Sequence, residues 1–417
     1  MPADGAGGPP AGSSAESPAL DASPAASQAA WLRTRGYLNA SRHRLTGLAR
    51  QDFPAGWFVP GTGLLARPAW IPDRPVPLDQ VRLRWSPGAD PAVFDGAAPE
   101  LRAVRPLRDG RVCYPRYSDA VGDLARPGLF ENRACYRLLE VESGPAGPEL
   151  TFGRGRYFDL IDTCEAAAHE FAAAHPAAAA HPAGDDHVAD GDRAAGMPFR
   201  RALGDPTDLG RRPVMSAVST LTIRYDRAAG TAEFLLHWRD PAKVASGGGL
   251  YQVMPVGMFQ PSHDAAWNEA NDFDLWRSIV RELSEELLGT TEDYGSGDQP
   301  IDYAAWEFSR VLGRARARGD LRVYWLGLGI DPLTFVADML TVAVFEAKVF
   351  DEMFGRLVTA NAEGHRVEFE DGTGRAAGLP LRADQVDRLT RQEPMQVAGA
   401  ALLRLAWAHR DTLLGHP

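Results

Sequence analysis

Three carboxylates share one edge of a predicted helix in the segment Arg281-Glu282-Leu283-Ser284-Glu285-Glu286. The helix is expected from about Asp272 to Leu288, because Leu275, Trp276, Ile279, Val280, Leu283 and Leu287 recur at helical spacing as one apolar stripe. Asp272 is the expected N-cap and Gly289 the expected stop. At about 100° per residue, Glu282, Glu285 and Glu286 fall together beside that stripe, with Arg277 and Arg281 on the far flank. The crowding is unfavourable. Like charges at i,i+3 and i,i+4 cost roughly 0.2–0.5 kcal/mol each, and carboxylates in the last turn oppose the helix dipole by roughly 0.3–1 kcal/mol each. A divalent cation with hard oxygen ligands would reverse both penalties. The alternative is a solvated acidic face, partly offset by Arg281 and Glu285 at i,i+4, and spacing alone leaves both open.

The same six residues match the core of the Nudix box, whose pattern is G-x5-E-x7-R-E-U-x-E-E-x-G-U with U aliphatic, so in this helix the chain resembles a Nudix hydrolase. The resemblance implies that Glu285 and Glu286 bind Mg²⁺ (or Mn²⁺), that Glu282 is a further metal ligand or the catalytic base, and that Arg281 orients the glutamates. It also implies hydrolysis of a nucleoside diphosphate linked to another moiety, by attack of water on phosphorus. Gly257, in Val253-Met254-Pro255-Val256-Gly257, resembles the glycine that opens the box and would be a cofactor-binding position. Around the core the chain departs from the pattern. Phe273, flanked by Asp272 and Asp274, stands where the family has Glu, and the closing glycine comes one residue late, at Gly289. About ten extra residues, somewhere in Phe259 to Asn271, separate Gly257 from the helix.

The elements that must hold this helix read as a mixed α/β fold. Ser219 to Tyr225 and Ala232 to Trp238 alternate as strands, with a turn at Asp226 to Gly230 making them a hairpin. An apolar run from Leu250 to Phe259 follows, and further strands are expected at Leu321 to Ile330 and Leu340 to Val349. Gln385 to Leu414 reads as helix and would cover one face of the sheet. The order resembles the Nudix α/β/α sandwich, placed at residues 213–417. Asp331 and Glu346, at strand ends, are candidates for the further acidic group that the resemblance calls for.

Ahead of it, residues 1–28 are Ala, Gly, Pro and Ser with little to bury and are expected to be disordered. Residues 29–212 read as an α+β region. Its basic stretch from Trp31 to Leu48 is expected to dock through Trp31, Leu32, Leu38, Leu45 and Leu48, leaving the arginines solvated. Tyr114-Pro115-Arg116-Tyr117 and Phe130-Glu131-Asn132-Arg133 either line a base-binding pocket or pin loops. His169, His175, His181 and His187 recur every six residues, which points neighbours to different sides of a helix and speaks against a zinc site. Glu165 to Ala174 reads as helix and about 176–197 as an Ala-rich linker. Gly247-Gly248-Gly249 lacks the Lys-Ser/Thr that would mark a phosphate loop and reads as a turn.

Composition bounds the answer without choosing it. A net charge of −11 argues against nonspecific nucleic-acid binding, and 45% hydrophobic content over 417 residues supports one large core or two smaller ones. Only Lys243 and Lys348 are lysine among 44 basic residues, which points to a GC-rich bacterial gene. Three cysteines form no disulfide framework, no apolar run spans a membrane, and no signal peptide is visible, so a cytoplasmic protein is expected. A homodimer is left open. Three functions follow: a metal-dependent pyrophosphohydrolase, a ligand sensor that binds a small nucleotide-type metabolite without cleaving it, and an interaction protein whose glutamates meet a basic partner.

Overall fold

The computed structural model describes residues 23–145, 147–176, 196–239, 249–355, 364–366, 369–370 and 376–415. At its centre lies a seven-stranded mixed sheet built on β1 (Ser216–Asp226). β1 runs parallel to β7 (Ala337–Glu346), which is antiparallel to β6 (Leu321–Ile330). On the other side of β1, its second half pairs with β2 (Thr231–Phe234) and its first half with β5 (Val256–Met258), both antiparallel. β1 and β7 are buried almost throughout, as the inner parallel pair of a covered sheet must be. The register puts Met258, Ala217 and Asp338 side by side on three adjacent strands.

The expected hairpin is present. Asp226 Oδ1 accepts the backbone N–H groups of Ala228 and Ala229, both at 3.0 Å, and Gly230 supplies the left-handed residue with φ 65°. The second expected strand breaks at Leu235, after which β3 (Leu236–Arg239) leaves for a small sheet with β4 (Tyr251–Val253) and Gly364–Arg366. β6 has its expected bounds. β7 starts at Ala337, three residues earlier than expected, and ends at Glu346 because the helix Ala347–Phe354 takes over there.

Helices pack along this sheet. The glutamate helix, α3 (Leu275–Leu288), contacts β1 and β5 and the following helix α4 (Glu307–Arg318). α5 (Val397–Ala408) lies across β1, β6 and β7, covering a face as expected. α3 ends at Gly289, which adopts the left-handed cap with φ 69°. Its N-cap is Asp274, which accepts from Arg277 N at 2.9 Å, and not Asp272.

The long helix α1 (Pro24–Ala49) starts where Ser23 caps it and Pro24 pre-sets its first turn, so residues 24–28 belong to it and not to the expected tail. Residues 1–22 lie outside the described residues. Trp31, Leu38 and Leu45 dock the helix, but Arg35 and Arg42 are buried instead of solvated. The reason is Glu165, fully buried, which accepts from Arg42 at 3.1 and 2.7 Å and lies 3.8 Å from Arg35. Glu165 directly precedes α2 (Ala166–Ala174), whose Glu170 accepts the backbone N–H groups of Phe199 and Arg200 at 2.9 and 2.8 Å.

The N-terminal region shares the core of the rest. Val76–Pro77 adds an edge strand to β6, Leu65 bridges Ile330, and one cluster of buried apolar residues runs from Trp31 to Leu413. No described helix is long and apolar enough to cross a membrane. Cys113, Cys135 and Cys164 are free thiols.

Candidate functional site

Arg281 is 3% exposed and held on three sides. It donates to Tyr303 Oη and to the Gln260 carbonyl, each at 2.7 Å, and Asp272 Oδ1 lies 3.6 Å away. Tyr303 in turn donates to Asp272 Oδ1 at 2.9 Å, while Asp272 Oδ2 accepts the Ser262 N–H and hydroxyl at 2.7 and 2.6 Å. This network explains why Asp272 is not the helix cap: its oxygens are spent on Ser262, Tyr303 and Arg281. Burial pulls the Arg281 pKa down, but Tyr303 and Asp272 outweigh it and hold it above the ordinary range. Phe273 joins an aromatic cluster with Trp85, Tyr136, Phe152 and Phe259.

The glutamates divide. Glu286 is buried and accepts the Val256 N–H at 2.9 Å, tying α3 to β5. Glu282 lies on the same strand's glycine: a Cβ on Gly257 would stand 1.9 Å from the Glu282 carboxyl carbon. Glu285 accepts from Tyr294 Oη at 2.6 Å. Burial pushes its carboxyl up to about 7, with the Tyr294 bond pulling the other way.

Glu282, Glu285, Gly257 and Arg281 line one part of a cleft of about 580 Å³; Glu286 does not. Gly128, Leu129, Phe130, Glu131 and Arg133 form a wall of it, so the Phe130-Glu131-Asn132-Arg133 segment lies at the cleft. Arg133 fastens that wall by donating to Glu292 at 3.0 Å and to the Ser262 carbonyl. The floor is Met258, Ala217 and Asp338, continued by Asp331, Leu333 and Thr334 of the β6–β7 loop.

That loop is built with care for its backbone. Asp331 Oδ1 accepts the N–H groups of Leu333 and Thr334 at 2.7 and 3.2 Å, and Phe335 takes the left-handed conformation at φ 62°. Two buried arginines hold it from behind. Arg200 donates to the carbonyls of Pro332 and Leu333, both at 2.7 Å, and Arg212 donates to that of Phe335. Asp338 accepts from Ser219 Oγ at 2.8 Å, and burial pushes its carboxyl up to about 7. Glu346, the other candidate of its kind, is occupied by Arg227 at 2.7 Å and Arg322 at 3.7 Å and is not part of the cleft.

Other sequence candidates scatter. Gly247 and Gly248 lie outside the described residues. His169 is buried, stacked on Trp31, bonded to Tyr117 and lowered to about 3 by burial. His175 bonds the Phe171 carbonyl, and His181 and His187 lie outside the described residues. Among the described residues, no three His, Cys, Asp or Glu side chains converge closely enough to hold a metal by themselves.

The cleft is acidic. Its described lining includes six carboxylates and four guanidinium groups. Beside Glu282 a bare phosphate would meet like charge, and a divalent cation arriving with the phosphate would offset it. The donor set suits such a cation, because Mg²⁺ is usually held by one or two carboxylates plus substrate phosphates and water, and Glu282 and Glu285 supply two.

Sequence reasoning missed Asp338, Tyr294 and the Arg133 tether. Asp338 was legible as a lone acid in the apolar run Val336-Ala337-Asp338-Met339-Leu340; the other two carry no local signal. The chain matches no known family model, and no curated protein matches it.

Proposed function

We propose that this protein is a Mg²⁺-dependent hydrolase of a nucleoside diphosphate linked to another moiety, with a Nudix-like α/β/α arrangement and its site where α3 meets β5. The observation that carries the reading is the pair Glu282 and Glu285, facing an acidic cleft, with Glu282 laid on a glycine. Bound Mg²⁺ would lower the pKa of a coordinated water and neutralise charge on the bridging phosphates. Glu282 and Glu285 would hold it. Glu286 fixes β5 against α3 through Val256, and Arg281 keeps the helix in register with the turn at Gln260.

The test is nucleotide or phosphate release from a panel of nucleoside diphosphate derivatives with Mg²⁺ or Mn²⁺, for wild type, Glu282→Gln and Glu285→Gln. Metal-dependent turnover lost in both variants supports the reading. Absent turnover with metal-dependent nucleotide binding intact supports the second reading, a sensor of a nucleotide-type metabolite. The altered spacing around α3, with Phe273 where the family has Glu and Gly289 one residue late, favours that second reading.

A further inference from the structure

Asp338 is an acid in the buried parallel pair β1 and β7, 8% exposed, at a position where Val or Ile would serve the sheet better. Asp331, its neighbour in the cleft, caps two backbone N–H groups and builds the loop, whereas Asp338 has the Ser219 hydroxyl as its hydrogen-bond partner among the described residues. Ionised or protonated, a carboxyl group keeps acceptor capacity beyond one hydroxyl, so Asp338 can take a further donor. It is also part of the cleft floor, beside Ala217 and Met258 in strict register.

The register fixes its distance from β5. Asp338 lies two strands from β5, about 10 Å at the usual strand spacing, and β5 carries the glycine under Glu282. The cleft of about 580 Å³ therefore has an acidic site for phosphate and cation at one place and a separate buried acceptor across its floor. Leu333 and Val336 line the cleft beside it, and the charges of Asp331 and Arg239 also act on it. A buried acceptor selects a donor and rejects an analogue that lacks it, because the unmade bond leaves the acceptor buried and unmatched.

We propose that Asp338 is the specificity determinant of the cleft, recognising the exocyclic amine of a nucleobase whose phosphates lie at Glu282 and Glu285. The inference rests on the nucleotide reading above and narrows the ligand to nucleotides with an aminated base.

Calorimetric titration of the full-length protein with Mg²⁺ and α,β-methylene analogues tests it, in the pairs ADP against purine riboside diphosphate and GDP against IDP. The amine-bearing member of a pair is expected to bind at least about tenfold tighter. The double variant Asp338→Val, Ser219→Ala removes acceptor and partner together, a change that is close to neutral for folding, and is expected to bind both members equally. Glu285→Gln is expected to weaken all four analogues alike. Equal binding of each pair by wild type overturns the inference and leaves the nucleotide reading standing. A preference that survives in the double variant also overturns it. Failure of every analogue to bind in a Mg²⁺-dependent way overturns both.

Discussion

The carboxyl group of Glu282 fills the space where a side chain on residue 257 would begin, 1.9 Å from the position of a Cβ. Gly257→Ala must therefore displace it. The tip of a glutamate can swing aside, so the stability cost should be modest, about 0.5–1.5 kcal/mol. The functional cost should be near complete, because the carboxylate leaves the cleft. Urea unfolding and Mg²⁺-dependent nucleotide binding measure the two effects; an alanine variant with wild-type affinity would show that the contact is incidental.

Asp272 and Arg281 should behave in the opposite way. Both are almost wholly buried, 0% and 4% exposed at the side chain. Asp272→Ala strands a buried guanidinium and should cost about 3–5 kcal/mol. Glu282→Gln, at a half-buried position, should stay within about 0.5 kcal/mol of wild type while losing activity. Equal destabilisation by the two variants would contradict this division between framework and chemistry.

Burial pushes the carboxyl groups of Glu170 and Asp338 up to about 7. Each binds its proton more tightly in the folded chain than in the unfolded one. Stability from these groups is complete below the ordinary carboxylate range and is lost as pH rises through about 7. His169, lowered to about 3 from 6.5, acts in the other direction but only below its unfolded value. The melting temperature should thus fall from pH 6.5 to about pH 8, and Glu170→Gln should make that slope shallower. An unchanged slope in the variant would exclude Glu170 as a source.

Arg133 joins the cleft wall to Glu292 and Ser262 through a partly exposed contact. Surface pairs of this kind contribute about 0–1 kcal/mol to stability, so Arg133→Ala should unfold almost as wild type does. With the wall released, nucleotide affinity should drop at least about tenfold, or ~1.4 kcal/mol. Titration calorimetry of the variant checks this, and wild-type affinity would assign the wall no part in binding.

Much of this arrangement was legible locally. The stripe of α3, the stop at Gly289 and the strand Leu321–Ile330 rest on residues next to each other in sequence, and the structure has them as expected. What failed to show is what depends on distant partners. Asp272 and Asp274 are equivalent caps by sequence, and only Ser262 and Tyr303, packed in from elsewhere, decide between them. Arg35 and Arg42 looked like solvent-facing residues because their partner, Glu165, lies more than a hundred residues on. Asp338 falls before the expected strand start at Leu340, whereas in the structure it belongs to β7 and to the cleft floor.

Glu170 reaches from α2 to the backbone of Phe199 and Arg200, so the chain on either side of residues 177–195 is joined by more than its own peptide bonds. Arg200 carries the connection onward to the loop at Leu333. A polypeptide cut anywhere in that interval would yield two fragments with one shared interior, neither able to cover its own apolar surface. Co-expressed, they should find each other and reconstitute the cleft; expressed singly, each should aggregate. The protein can be split there, but it cannot be divided.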